Sequence, residues 1–72
     1  MNVDEKKLKE FLEKLFLENV IDVEKGVPIT AVEKEYDKVF LEECFLRKYI
    51  CVESGKLFLS QKGVQYILAM YS

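Results

Sequence analysis

Few side chains in this sequence could do chemistry on their own. Cys44 and Cys51 are the two thiols of a chain that contains no histidine. Two thiols without imidazole fall short of the four ligands that hold a structural zinc ion within one chain. As nucleophiles they lack a neighbouring imidazolium, and a single arginine is the only guanidinium available to lower a thiol pKa. They read first as small buried hydrophobes and second as a disulfide pair. Glu42 and Glu43 are adjacent, so on a helix their carboxylates point in different directions and form no acid–base pair. Three isolated glycines make no phosphate-cradling loop. An enzyme is therefore not expected, and neither a cofactor, a metal nor a small-molecule substrate is implied.

The side chains left to consider are those that bind. The chain has 72 residues, with 11 basic against 13 acidic residues and a formal net charge of -2. That balance lacks the basic excess of most nucleic-acid binders. Charge is uneven, however: Arg47, Lys48, Lys56 and Lys62 stand against Glu53 alone between positions 47 and 62, a local excess of three positive charges. Of the charged residues, 10 are Lys and 10 are Glu. Such usage resembles that of hyperthermophiles, where intracellular disulfides also occur.

A chain this short buries only about 60% of its unfolded surface, so one domain with a small core is expected. Half of its residues are apolar, which is generous for that size and points to some apolar surface lying between subunits. The first ten residues, "MNVDEKKLKE", are charged and helical rather than a basic stretch leading into an apolar run. The longest apolar run, "YILAMY", is far too short to span a bilayer. A cytoplasmic protein without a membrane partner is the expectation.

The elements that position these residues follow from periodicity. Leu8, Phe11, Leu12 and Leu15 recur at helical spacing, with Asp4 placed to cap the start. Residues 20 to 29 hold the one proline and read as a loop with a short extended piece near Val27 to Ile29. "TAVE" offers Thr30 and Glu33 as a capping box for a second helix. From Thr30 to Lys48 one long helix and two short ones both fit. A break near Tyr36 and Asp37 is favoured because Phe40, Leu41, Cys44 and Phe45 form an apolar set of their own, with Val39 and Leu46 on nearly the opposite side. In "YICVESGKLFLS" two alternating runs meet at Ser54-Gly55, which pairs Glu53 with Lys56, Val52 with Leu57, Cys51 with Phe58 and Ile50 with Leu59. That register gathers Ile50, Val52, Leu57 and Leu59 on one aliphatic face. Ser60 then caps a last helix that is apolar on nearly all sides, through Val64, Tyr66, Ile67, Leu68, Ala69, Met70 and Tyr71. Such a helix needs cover on more than one side. A homodimer interface through Tyr66, Met70 and Tyr71, helped by Phe11 and Leu15, is the economical expectation.

Taken in order, the α+β arrangement resembles the winged helix-turn-helix family: three helices, a β-hairpin wing and a C-terminal helix. The local match is "GKLFLSQKGVQYI", residues 55 to 67, which is similar to the wing and last helix of MarR-like and related prokaryotic, archaeal or archaeal-virus regulators. The residues that carry it are Gly55, Leu57, Leu59, Ser60, Lys62 and Gly63. "FLEECFLRKYICVES" resembles the stretch linking that family's recognition helix to its wing. The resemblance implies a homodimeric transcription regulator that binds double-stranded DNA. Its third helix would enter the major groove and its wing would touch the backbone. Position by position it points to Lys34, Lys38 and Glu42 on the helix pair, to Ser54, Gly55 and Lys56 at the wing tip, and to Gln61 and Lys62 at the start of the last helix. The alternative keeps the fold and replaces DNA by a protein partner. It is motivated by the acidic balance and by the two i, i+4 pairs, Lys38 with Glu42 and Glu43 with Arg47, that would neutralise the third helix.

Overall fold

The computed structural model describes residues 4–71. Four helices and three strands follow in the order α1 (Glu5–Leu17), β1 (Val27–Pro28), α2 (Ile29–Glu35), α3 (Lys38–Leu46), β2 (Ile50–Glu53), β3 (Lys56–Leu59) and α4 (Gln61–Met70). The chain is thus α+β, with an antiparallel sheet in the order β1-β3-β2.

Local chemistry accounts for most of the element ends. Asp4 accepts from the backbone N–H of Lys6 and Lys7 and starts α1. The helix stops where Asn19 turns left-handed, with the Asn19 N–H donating to Phe16 and the Val20 N–H to Leu15. The same arrangement ends α3, with Lys48 left-handed and bonds from Lys48 to Phe45 and from Tyr49 to Cys44. Both are Schellman ends, which return the chain sharply towards the core. Between α2 and α3 the backbone of Tyr36 is extended, so the break expected at Tyr36 and Asp37 is present. Asp37 caps α3 by backbone geometry, without a side-chain hydrogen bond.

One expected cap is elsewhere. Thr30 lies inside α2, which begins one residue earlier with Pro28 in the cap position. The N–H of Ile29 donates to the carbonyl of Gly55 at 2.9 Å, so the hairpin tip satisfies the first donor of α2, and no side chain caps the helix.

The hairpin has the expected register, from Ile50 with Leu59 at its base to Glu53 with Lys56 at its tip. Ser54 and Gly55 both take positive φ, the requirement of a type I′ turn. The extended piece at Val27 becomes a strand by pairing with Leu57 on the far side of β3. Leu57 therefore sits in the middle strand with no exposed surface. Leu8, Phe11, Leu12 and Leu15 of α1 pack with it in one core that also takes Val32, Phe40, Leu41, Cys44, Ile50, Leu59 and Ile67.

The tightest joint is where β3 meets α4. The Ser60 Oγ accepts from the Gly63 N–H at 3.0 Å and donates to the Lys48 carbonyl at 2.6 Å, while the Ser60 N–H donates to the Tyr49 carbonyl. One serine thus caps α4 and fastens it to the start of β2. The run "LSQKG" is a clasp between the hairpin base and the last helix.

Candidate interaction surface between α2, α3 and the hairpin

The short α3 has two unlike sides. Phe40, Leu41 and Cys44 face the core and are buried, whereas Lys38, Val39, Glu42, Phe45 and Leu46 face outwards. Leu46 is 76% exposed and Val39 44%. Phe45, which the sequence pattern groups with the inward set, is exposed at 38%. Its neighbour across the surface is Val52, the one member of the aliphatic hairpin face that is not buried. Both line a groove of about 480 Å³ between α2, α3 and the hairpin. Ile29, Tyr36, Leu41, Phe45 and Val52 form its apolar wall, and Glu33, Lys38 and Glu42 supply its charges. Tyr36 is held from behind, its ring 4.5 Å from that of Phe11 and 5.6 Å from that of Phe40. At Tyr36 the groove wall is therefore continuous with the core.

Electrostatics around the groove differ from the expectation in a specific way. Of the two i, i+4 pairs, Glu43 with Arg47 forms at 2.9 Å, and Arg47 also reaches Glu5 at 3.0 Å. Those two acids hold the guanidinium charge more firmly than usual, through hydrogen bonds first to Glu5 and then to Glu43. Arg47 is thereby a strut between α1 and α3, and its charge is spent internally. Among the described residues no ion pair joins Lys38 to Glu42, or Glu53 to Lys56. Over residues 29 to 47 the acids Glu33, Glu35, Asp37, Glu42 and Glu43 outnumber Lys34, Lys38 and Arg47 by two.

The residues singled out for DNA contact fall into separate places. Lys38 and Glu42 share the groove, and Lys34 is exposed on α2 outside its lining. Ser54, Gly55 and Lys56 are exposed at the hairpin tip. Gln61 and Lys62 lie past the other end of β3, beyond the pair Ile50 with Leu59. There the Lys62 ammonium sits 5.8 Å from the Tyr49 ring centroid.

Two of the residues assigned to a dimer seam are interior. Phe11 and Leu15 are 3% and 5% exposed within a single chain, because the stripe of α1 is consumed by the sheet and by the aromatic cluster with Tyr36 and Phe40. Tyr66 is half-buried and lies 4.7 Å from the Tyr49 ring, and burial is the first cause of its raised hydroxyl pKa. Met70 and Tyr71 remain exposed, with the Tyr71 hydroxyl donating to Glu13 Oε2 at 2.5 Å. The same surface adds Leu17, at 71% exposure, which the sequence pattern did not single out.

The two thiols are free, so the disulfide reading gives way to the buried-hydrophobe reading for Cys44. Cys44 belongs to the core with Ile50, whereas strand alternation places Cys51 on the opposite face of β2. Burial pushes the Cys44 thiol from 9.0 up to about 12. A folded-state pKa raised above the unfolded value contributes stability that is complete below about pH 9 and fades as pH climbs towards 12. In a thiol-titration assay at pH 8, Cys51 should react in the native protein and Cys44 only after denaturation. Two thiols reacting together in the native state would contradict this burial.

Among the described residues, no group of His, Cys, Asp or Glu is arranged to hold a metal ion, and no helix is long and apolar enough to cross a membrane. Comparison with protein-family models, with curated proteins and with solved structures gives no match.

Proposed function

We propose that the chain is a cytoplasmic winged-helix module that uses the outer face of α3 and the adjoining groove for protein contact. The element order and the sheet order β1-β3-β2 support the winged-helix reading, with α2 and α3 as the helix pair and β2–β3 as the wing. The observation that carries the protein-contact reading is the composition of the outer face of α3. It holds Val39, Phe45 and Leu46, one acid and one base. A helix that reads the major groove needs donors and acceptors for base edges and cations for phosphates. Here insertion would press Glu42 towards phosphate and leave Phe45 and Leu46 with few partners beyond thymine methyl groups. Against an apolar protein surface the same side chains are ordinary contact residues.

A second reading, a homodimeric regulator on double-stranded DNA, is favoured by one observation. Lys34, Lys38 and Lys56 make no ion pair among the described residues, so three cations flank the helix pair and the wing tip. Copies would meet through Tyr66, Met70 and Tyr71 in that case. Anisotropy titration of a labelled random duplex at low salt separates the readings. The protein-contact reading expects no saturable binding. Binding that weakens with salt, and whose salt slope falls by about 0.9 for each of Lys38→Glu and Lys56→Glu, would replace it by the DNA reading.

A further inference from the structure

We infer that the groove between α2, α3 and the hairpin takes a basic amphipathic segment of a partner protein, with bulky apolar anchors flanked by Lys or Arg. This rests on the protein-contact reading above and adds the chemistry of the partner.

Shape supplies the anchors. The groove is apolar along Ile29, Tyr36, Phe45 and Val52, and its volume of about 480 Å³ lies within the range of pockets that hold several linked apolar groups. Its walls come from three elements joined through the core, so little ordering is required when it is filled. Segments that lay an apolar face into such a groove are read through side chains one helical turn apart.

Charge supplies the flanks. Glu33 on α2 and Glu42 on α3 stand over the apolar wall, and neither has a cation partner among the described residues. The nearby Arg47 is already committed to Glu5 and Glu43. Asp37 begins α3 beside Lys38, and Glu53 follows Val52 at the tip. Of the three charged residues that line the groove, Glu33 and Glu42 outnumber Lys38, so a partner with cations beside its apolar anchors is the better electrostatic complement. A second copy presenting Leu17 or Ile21 would bring carboxylate to carboxylate, through Glu18 and Asp22.

The test uses the full chain and two labelled peptides of equal length, one of leucine and lysine and one of leucine and glutamate, patterned as amphipathic helices. Fluorescence anisotropy at low salt should show the lysine peptide binding about ten-fold tighter or more, with the preference shrinking as salt rises. Phe45→Ser and Val52→Ser change exposed side chains and should each weaken it several-fold, while Leu17→Ser on another surface leaves it unchanged. The double variant Glu33→Lys, Glu42→Lys should reverse the preference. Equal affinity for the two peptides, or indifference to Phe45→Ser and Val52→Ser, would overturn the inference. Loss of the protein-contact reading is a different result, because it is scored by saturable DNA binding that depends on Lys38 and Lys56.

Discussion

Replacing Gly63 by alanine should cost about 3 kcal/mol or more of stability, although the position lies inside a helix where alanine normally gains about 0.5–1 kcal/mol over glycine. The sign is reversed by packing. A Cβ built on Gly63 meets the Tyr49 carbonyl oxygen as well as the Leu59 side chain, whose Cδ1 would lie 2.8 Å away. The carbonyl is backbone and is itself held by the Ser60 N–H at 2.9 Å, so it cannot rotate aside as a side-chain tip would. Relief requires α4 to lift from the hairpin base, which also stretches the bond from the Gly63 N–H to the Ser60 Oγ. A domain of this size has only about 4–10 kcal/mol in total. Urea unfolding followed by circular dichroism should therefore show a large drop in midpoint. A midpoint equal to or above that of the unmodified protein would mean that α4 does not press on β2 as described.

Leu57→Ala should be comparably damaging, by about 2–5 kcal/mol. Leu57 is the middle-strand residue that faces Val27 on one side and Val52 on the other, with no exposed surface. Removing its side chain leaves a cavity that the flanking strands cannot close, since they are tied to β3 by the backbone ladder and to the helices by the core. Leu46→Ala and Leu17→Ala serve as controls of equal chemistry. At 76% and 71% exposure they should stay within about 0.5 kcal/mol. A loss below about 1 kcal/mol for Leu57→Ala, in the same urea assay, would place that side chain outside the core.

These two positions show which part of the molecule short-range pattern can reach. The partnership of Leu57 with Val52 follows from alternation and from a Ser-Gly turn whose two residues accept positive φ, and both signals lie within a dozen residues. Asp4 and Ser60 were legible as caps for the same reason, because a capping side chain bonds to backbone two or three residues away. Gly63 enters the sequence reading only as one residue of the segment that resembles the winged-helix family. The physical cause of the requirement for glycine there, a helix passing against a carbonyl fourteen residues earlier, is a non-local contact.

What the sequence determined by itself is the first and last helices and the hairpin with its register, since each rests on spacing, turn chemistry or a local cap, while one helix or two over residues 30 to 48 both fitted. The tertiary structure decided which apolar side is covered, and by what. Periodicity marks Phe11 and Leu15 as one stripe and Phe45 with Phe40 as another, but it carries no information on how far the opposing surface extends. The sheet and the Tyr36 cluster cover Phe11 and Leu15, whereas Phe45 and Val52 line a groove and stay exposed. Likewise, Lys38 and Glu42 have the spacing of an ion pair, yet Arg47 is the residue that finds its acids, because packing brings Glu5 of α1 beside it at the surface. Covering or exposing a helix face is a property of two elements at once, and only their packing sets it.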